Sequence, residues 1–325
     1  MLAAWITAPC PPAGITVGEL PVPVPAPQQV LVQVAAVAVN PIDTYIRSGK
    51  YPLPLPVPFI IGRDLTGTVV ETGAEVTHFR PGDRVWCNNQ GYAGRQGTFA
   101  EFAAIDEGLL YHLPDEADLI ESVATLHSAL TASLGLAKVR PQAGETVFIR
   151  GGDGNVGTAV LQLARAAGAR VAVTAGSEEK ARWCEELGAE LVIRYRETDI
   201  PEALHQFAPA GMDVYWETTP QPELKAMLSV LAPRGRMVLM SGLKHQCEFP
   251  VGEFYTRNAT LFGFTVTDAA DVELAGHAER IREWLSGGQL RARIHTVLPL
   301  AAAAEAHRMM EEERLFGKVV VRVGV

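Results

Sequence analysis

Over the first 115 or so residues the apolar positions fall in short alternating runs, "QQVLVQVAAVAV", "LTGTVVETG", "DRVWCN" and "GTFAEFAAI", parted by Gly, Pro, Asp and Asn. Period-two alternation between turn residues predicts strands, and their close spacing predicts a compact β-barrel. The stretch "YPLPLPVPF" carries Pro52, Pro54, Pro56 and Pro58. It lacks the N–H donors a ladder needs, which predicts an extended loop. At Asp118 the period changes, and "DLIESVATLHSALTASLGLAKV" predicts a helix with Asp118 as its N-cap. Strand-like runs "ETVFI", "ARVAVT", "AELVIRY", "MDVYWETT", "RMVLMSG" and "TLFGFTV" then alternate with helical ones, including "GTAVLQLARAAG" and "QPELKAMLSVLA". That alternation predicts a parallel, doubly wound sheet. Beyond Asp268 come a helix around "ELAGHAERIREWLSGG", the strand "RIHTVLPL", the helix "AAAAEAHRMMEEE" and the strand "GKVVVRV".

A chain of 325 residues, 48% hydrophobic and 20% charged, has material for two domains with sizeable cores. Its formal charge of -9, with no basic run, argues against attraction to nucleic acid or an anionic membrane, and leaves a small molecule as the expected partner. Cys10, Cys87, Cys184 and Cys247 form no CxxC pair, so neither a disulfide framework nor a zinc ribbon is expected, and a reducing cytoplasm fits. The first twenty residues lack a basic start followed by an apolar block, and no apolar run approaches the roughly 20 residues that span a bilayer.

The segment "RGGDGNVG" supplies the candidate chemistry. Gly152, Gly154 and Gly157 follow an apolar strand and open an amphipathic helix, the context in which GxGxxG marks a dinucleotide site. The first glycine permits the tight turn, the second lets backbone approach a pyrophosphate and the third lets helix and strand pack. Asp153, Asn155 and Val156 complete the turn, whose free amides bind the anion. NAD enzymes place Asp or Glu about 20 residues on, against the ribose 2′-hydroxyl. Here Thr174 and Ala175 stand there, followed by "GSEEK", whose Ser177 hydroxyl and Lys180 ammonium suit a 2′-phosphate and favour NADPH over NADH. The alternative leaves Glu178 and Glu179 as helix-start acids and Lys180 as a solvated surface residue.

"NPIDTYIRSGKYP", "TVFIRGGDGNVGTAVLQLARAAGARV", "TAGSEEK" and "GKVVV" together resemble the quinone oxidoreductase, zeta-crystallin-like branch of the zinc-independent medium-chain dehydrogenase/reductase superfamily, over nearly the whole chain. The resemblance implies an α/β protein with a GroES-like β-barrel catalytic domain at 1–122 and 266–325, and a Rossmann doubly wound parallel-sheet domain at 123–265 that binds NADPH. It implies an approach to bound ligands by Asn40 and Tyr45 of the "NxxDTYxRSG" motif, with Tyr51 nearby and Asp43 orienting its neighbours. Asn40 would fix a carbonyl or the nicotinamide ribose, and the tyrosines would stack on a flat acceptor and donate a hydrogen bond. It also carries over Thr131, Tyr195, Ser241, Gly242, Phe264 and Val266 as cofactor contacts, and Lys318 as a group that reaches a phosphate or stays solvated.

Zinc-dependent members commonly have His-Glu in a segment resembling "IIGRDLTGTVVETG"; Arg63 and Asp64 stand there, and no cysteine cluster follows Asp83. No metal site is expected. His127, in the long helix, is expected either to face a ligand as a proton donor or to be hydrogen-bonded within the fold. Similar proteins have a small residue at Asp153 and glycine at Asn155. A carboxylate aimed at the pyrophosphate would be repelled, so Asp153 is expected to turn to the helix amides or to Arg150. The expected activity is NADPH-dependent, zinc-independent hydride transfer to a quinone. An alkenal, enone or enoyl thioester C=C reductase and a non-catalytic, crystallin-like NADPH-binding protein are the alternatives. The resemblance further implies a homodimer through "TLFGFTV", or a tetramer.

Overall fold

Alternating apolar runs do form strands, and two of the expected segments change partners or boundaries once the sheets assemble. The computed structural model describes residues 1–312 and 315–324; the last position of the helix expected at 301–313 lies outside them. In chain order the elements are β1 (Leu2–Ile6), β2 (Thr16–Glu19), β3 (Gln29–Ala38), α1 (Pro41–Arg47), β4 (Phe59–Ile60), β5 (Leu65–Thr72), β6 (Arg84–Cys87), β7 (Phe102–Asp106), β8 (Leu110–His112) and α2 (Leu119–Val139). There follow β9 (Thr146–Arg150), α3 (Asn155–Ala166), β10 (Arg170–Ala175), α4 (Glu178–Glu186), β11 (Leu191–Arg194), α5 (Ile200–Phe207), β12 (Met212–Glu217), α6 (Leu224–Ser229), β13 (Leu231–Leu239), α7 (Val251–Thr256) and β14 (Thr260–Gly263). The chain closes with α8 (Asp271–Ser286), β15 (Ile294–Pro299), α9 (Ala303–Glu312) and β16 (Lys318–Arg322). Two compact units result, Met1–His127 with Ala269–Val325, and Ser128–Asp268.

In the first unit a seven-stranded sheet runs β15-β16-β3-β5-β6-β8, with β7 also on β3, and a three-stranded sheet runs β2-β1-β4. Both contribute to one core, in which Ala3, Ala4 and Ile6 of β1 meet Val30, Val32 and Val34 of β3, Leu65 and Val69 of β5, and Val319 and Val321 of β16. The segment expected as a single strand, "GTFAEFAAI", divides between the sheets. Gly97 donates to Ile60 O and Ala4 donates to Phe99 O, whereas residues 102–106 pair with β3. A strand that switches sheets closes an open edge and so removes exposed ladder groups. The proline stretch at 51–59 is irregular until β4, as its missing donors require.

The second unit is a six-stranded parallel sheet in the order β11-β10-β9-β12-β13-β14, the doubly wound arrangement with its reversal between β9 and β12. Helix α3 is buried without a break from Gly157 to Ala164, as for a helix packed on a sheet and covered by its neighbours. The helix expected over 221–232 is shorter, at Leu224–Ser229, because Leu231 already pairs with Met212 and a register shift there lets β13 begin early. Asp118 caps α2 as expected, its Oδ1 accepting the Ile120 and Glu121 N–H groups at 2.8 and 2.9 Å. By length and composition α2 could cross a bilayer, but 72% of its apolar window is buried inside the fold, as in a core helix.

Candidate active site

In the second unit β9 ends at Arg150, the chain turns through Gly151 at φ 81°, and α3 starts at Asn155 with Gly154 as N-cap. A Cβ on Gly152 would lie 2.4 Å from Val173 Cβ, and one on Gly157 would lie 2.2 Å from Gly151 O. Any side chain at either position would part the turn from β10 or from α3. Gly154 is exposed, and the nearest atom to its missing Cβ is Gly151 O at 3.4 Å, so the turn is open where an anion would approach. The first N–H groups of α3 have no preceding carbonyls in the helix and form its positive end. These residues fit a dinucleotide pyrophosphate.

Side chains from the neighbouring strands brace the turn. Thr174 Oγ1 accepts the Gly151 N–H at 2.8 Å, and the Thr218 hydroxyl donates to Arg150 O at 2.7 Å. Glu217, fully buried at the end of β12, accepts the Thr219 N–H at 2.8 Å and lies 3.8 Å from Arg150 Nη1. Burial pushes its carboxyl above the ordinary range, against the opposing pull of the Thr219 hydrogen bonds and Arg150. Sequence reasoning missed Glu217 and Thr218; the signal was a charged residue closing the apolar strand "MDVYWE".

Asp153 does not turn where it was expected. Its Oδ2 accepts the Gly176 N–H at 3.1 Å and lies 3.3 Å from Lys180 Nζ, while Arg150 faces Glu217 instead. The physical reason is proximity: the loop after β10 brings an amide and an ammonium beside the turn. Ser177 caps α4, accepting the Lys180 N–H at 3.4 Å. The Tyr195 hydroxyl lies 3.1 Å from the Cβ that Gly176 lacks. Gly152, Asp153, Gly154, Thr174, Ser177, Lys180 and Tyr195 thus gather beyond the C-terminal ends of β9, β10 and β11. Asn155 and Val156 form the half-buried first turn of α3.

The other residues expected at the cofactor lie on the neighbouring strands and on α2. Ser241 donates to Thr219 O beyond β13, and Gly242 adopts φ 83°. Phe264, beyond β14, packs edge-on to Trp216 with centroids 6.3 Å apart, and Val266 is buried. Thr131 is buried on α2.

The first unit holds a buried polar cluster. Asn40 Nδ2 donates to Asp64 Oδ2 at 3.0 Å and to Ala38 O at 3.4 Å, its Oδ1 accepts from Lys318 Nζ at 2.7 Å, and its backbone N–H donates to Asp43 Oδ2 at 2.7 Å. Asp64 Oδ1 also accepts the Ala38 N–H at 3.0 Å. Two expectations change. Asn40 is fully buried with both amide hydrogens committed inside the unit, so it is not offered to a ligand carbonyl. Lys318, 1% exposed at the head of β16, is neither solvated nor available to a phosphate.

Charge in this cluster is mutually held. Burial lowers the Lys318 ammonium's pKa, while the Asp64 and Asp43 charges oppose the fall. Asp64 is raised by burial despite Lys318 and its hydrogen bonds. Asp43 is pushed up to about 7, by burial first and then by the Asp64 charge. Arg63 donates to Asn89 Oδ1 within the same interior. His127 Nδ1 lies 3.0 Å from the Asn88 amide nitrogen. Burial, then the Lys318 and Arg63 charges, hold its imidazole well below the ordinary pKa, so it is a neutral, hydrogen-bonded histidine. Tyr45 is exposed on α1, and Tyr51, whose N–H donates to Tyr45 O at 3.1 Å, packs partly buried against the core.

A glycine turn where the order of a parallel sheet reverses, in a chain that also folds a separate β-rich unit, defines a two-unit dinucleotide enzyme fold. Comparison with known proteins agrees. The "Alcohol dehydrogenase GroES-like domain" family matches residues 26–115 and the "Zinc-binding dehydrogenase" family matches 155–279. A quinone oxidoreductase of Mus musculus is 32% identical over 89% of this chain and 87% of its own length. An NADPH-dependent alkenal/one oxidoreductase, chloroplastic, of Arabidopsis thaliana is 30% identical over 90% of this chain and 72% of its own length. A solved structure described as an NAD-dependent alcohol dehydrogenase is 31% identical and superposes with a TM-score of 0.91 over 100% of both chains. The chain belongs to the medium-chain dehydrogenase/reductase superfamily, in its quinone oxidoreductase branch, and is an oxidoreductase.

Two outcomes follow from the buried cluster. Lys318→Met removes one partner of a buried ionic network and is expected to lower unfolding free energy by about 3 kcal/mol, read from denaturant midpoints. Asp43 titrates with the opposite sign to an ordinary paired carboxylate. Its folded pKa of about 7 exceeds the ordinary 3.8, so the folded state holds the proton more tightly. The stability it contributes is complete below 3.8 and is lost as pH rises through about 7, with Asp64 acting in the same sense. Urea midpoints should therefore fall between those pH values in the unmodified protein and fall less in Asp43→Asn; equal slopes would refute the assignment.

Proposed function

We propose that this chain passes hydride from a reduced nicotinamide dinucleotide to a quinone, without zinc. The carrying observation is the open glycine turn ahead of α3, at the reversal point of the sheet, with Gly154 exposed and Gly152 and Gly157 in close backbone contact. When bound, the dihydronicotinamide supplies a hydride, that is, two electrons and a proton. The acceptor gains that hydride on one side and a proton on the other, giving a quinol. The chain's part is to hold the pyrophosphate on the α3 amides and to supply hydrogen bonds to the oxygen where negative charge grows. Tyr45, with 37% exposure, is the candidate donor of that hydrogen bond and of the proton, which otherwise comes from water; Tyr51 stands beside it in the chain turn.

The donor set supports chemistry without zinc. Lys318 and Arg63 lie buried with Asp64 and Asn40, and a divalent cation would have to displace or adjoin their positive charges. Cys87, also near Asp64, is held as the thiol, since burial and that carboxylate push its pKa upward. Among the described residues no group of three or more His, Cys, Asp or Glu could hold a metal ion. These residues do not fit a tetrahedral zinc.

A polarised alkene is the second acceptor class, supported by the alkenal/one oxidoreductase relative. NADPH was expected from Ser177 and Lys180. The same relative is named for NADPH, while the alcohol dehydrogenase structure is named for NAD. The choice between the two coenzymes turns on Asp153. A reducing, cytoplasmic setting is consistent with four free cysteines.

Oxidation of NADH and NADPH followed with ortho-quinones, para-quinones, alkenals and enoyl thioesters in parallel is expected to show turnover with quinones that persists in chelator. Chelator-sensitive turnover would refute the zinc-free assignment, and turnover with alkenals alone would move the substrate to the second class. We further assign a homodimer joined through β14, the edge strand of the parallel sheet. Light scattering should return the mass of two chains; a monomer would refute it.

A further inference from the structure

We infer that Asp153 makes this site select NADH over NADPH, because its carboxylate already occupies the amide and the ammonium that a 2′-phosphate would draw on. The inference rests on the dinucleotide site proposed above and concerns which dinucleotide it takes.

Gly176 follows Ala175, the last residue of β10, and so lies just past the second strand of the glycine-turn unit. In folds of this order that position meets the adenosine ribose, and a carboxylate placed there accepts from the 2′-hydroxyl. This chain has no acid at the end of β10, where Thr174 and Ala175 stand. Asp153 brings one from the glycine turn instead, with Oδ2 on the Gly176 N–H at 3.1 Å and 3.3 Å from Lys180 Nζ. Besides the Ser177 hydroxyl, which caps α4, the donors placed for a 2′-phosphate are an amide N–H and an ammonium. Here both face a carboxylate of the same chain.

Most of the surrounding charge is paired. Glu178 and Glu179 open α4, Glu178 being paired with Arg182. On the β11 side, Arg194 pairs with Glu197, and Arg196 lies over the Tyr195 ring at 5.7 Å. The Tyr195 hydroxyl flanks Gly176. A 2′-phosphate must either expel Asp153 from its amide and ammonium or rest beside its charge. A 2′-hydroxyl carries no charge and can donate to it. Selection therefore comes from a repulsive group inside the site rather than from an added attraction.

The test is calorimetric titration of the full chain with NADH and with NADPH, which reads binding and needs no turnover. The unmodified protein is expected to bind NADH roughly tenfold tighter or more. Asp153→Ala, and Asp153→Asn, which keeps an acceptor for the Gly176 N–H, should each narrow or reverse that ratio by roughly tenfold, mainly through tighter NADPH. Adding Lys180→Ala to Asp153→Ala should remove the NADPH gain. Tighter NADPH than NADH in the unmodified protein, or an unchanged ratio in both Asp153 variants, would overturn the inference and leave the dinucleotide site standing. Binding of neither coenzyme to the unmodified protein would overturn the site and the inference together.

Discussion

The hydrogen bond from Lys318 to Asn40 is the tie on which the first unit depends, for it joins residues 278 positions apart in a buried interior. An ammonium taken out of water must find anions and acceptors, and Lys318 finds Asn40 directly with the Asp64 and Asp43 charges nearby. The same contacts place the end of β3, the start of α1 and the approach to β5. Asp64 takes the Ala38 N–H and the Asn40 amide, and Asp43 takes the Asn40 N–H that the helix start leaves unpaired. Polar groups thus set the geometry of one corner of a core otherwise made of apolar side chains.

That corner also bears on the chemistry. A buried lysine and arginine beside two aspartates put cationic charge within the protein's own side chains. In the proposed reaction hydrogen bonding by the chain takes the place of polarisation by a metal, which suits acceptors that are already electron-poor. Tyr45 lies outside the cluster, on the exposed side of α1, and remains available for hydrogen bonding.

In the second unit the inferred discrimination between coenzymes rests on charge. Its glycine turn is stiffened by Thr174, Thr218 and Glu217, so the backbone proposed to face a pyrophosphate is held by the fold itself. On that frame Asp153 can reach Gly176 and Lys180 without disturbing the turn. On the inferred selection, a single carboxylate sets what the Gly176 amide and the Lys180 ammonium can bind, while the fold of the turn is untouched.

Much of this was legible in the chain itself. Period-two and period-3.6 patterns located β3, β5, β6, β9 through β12, α2 and α3, and the Gly152, Gly154 and Gly157 spacing located the turn, because these depend on neighbours within a few positions. The resemblance supplied the two-part architecture. What only the tertiary structure decided were pairings between distant residues: Asp153 with Gly176 and Lys180, Asn40 with Lys318 and Asp64, and the division of "GTFAEFAAI" between two sheets. A polar side chain's type says what it can bond to. Which partner it meets depends on how strands far apart in sequence come to lie side by side.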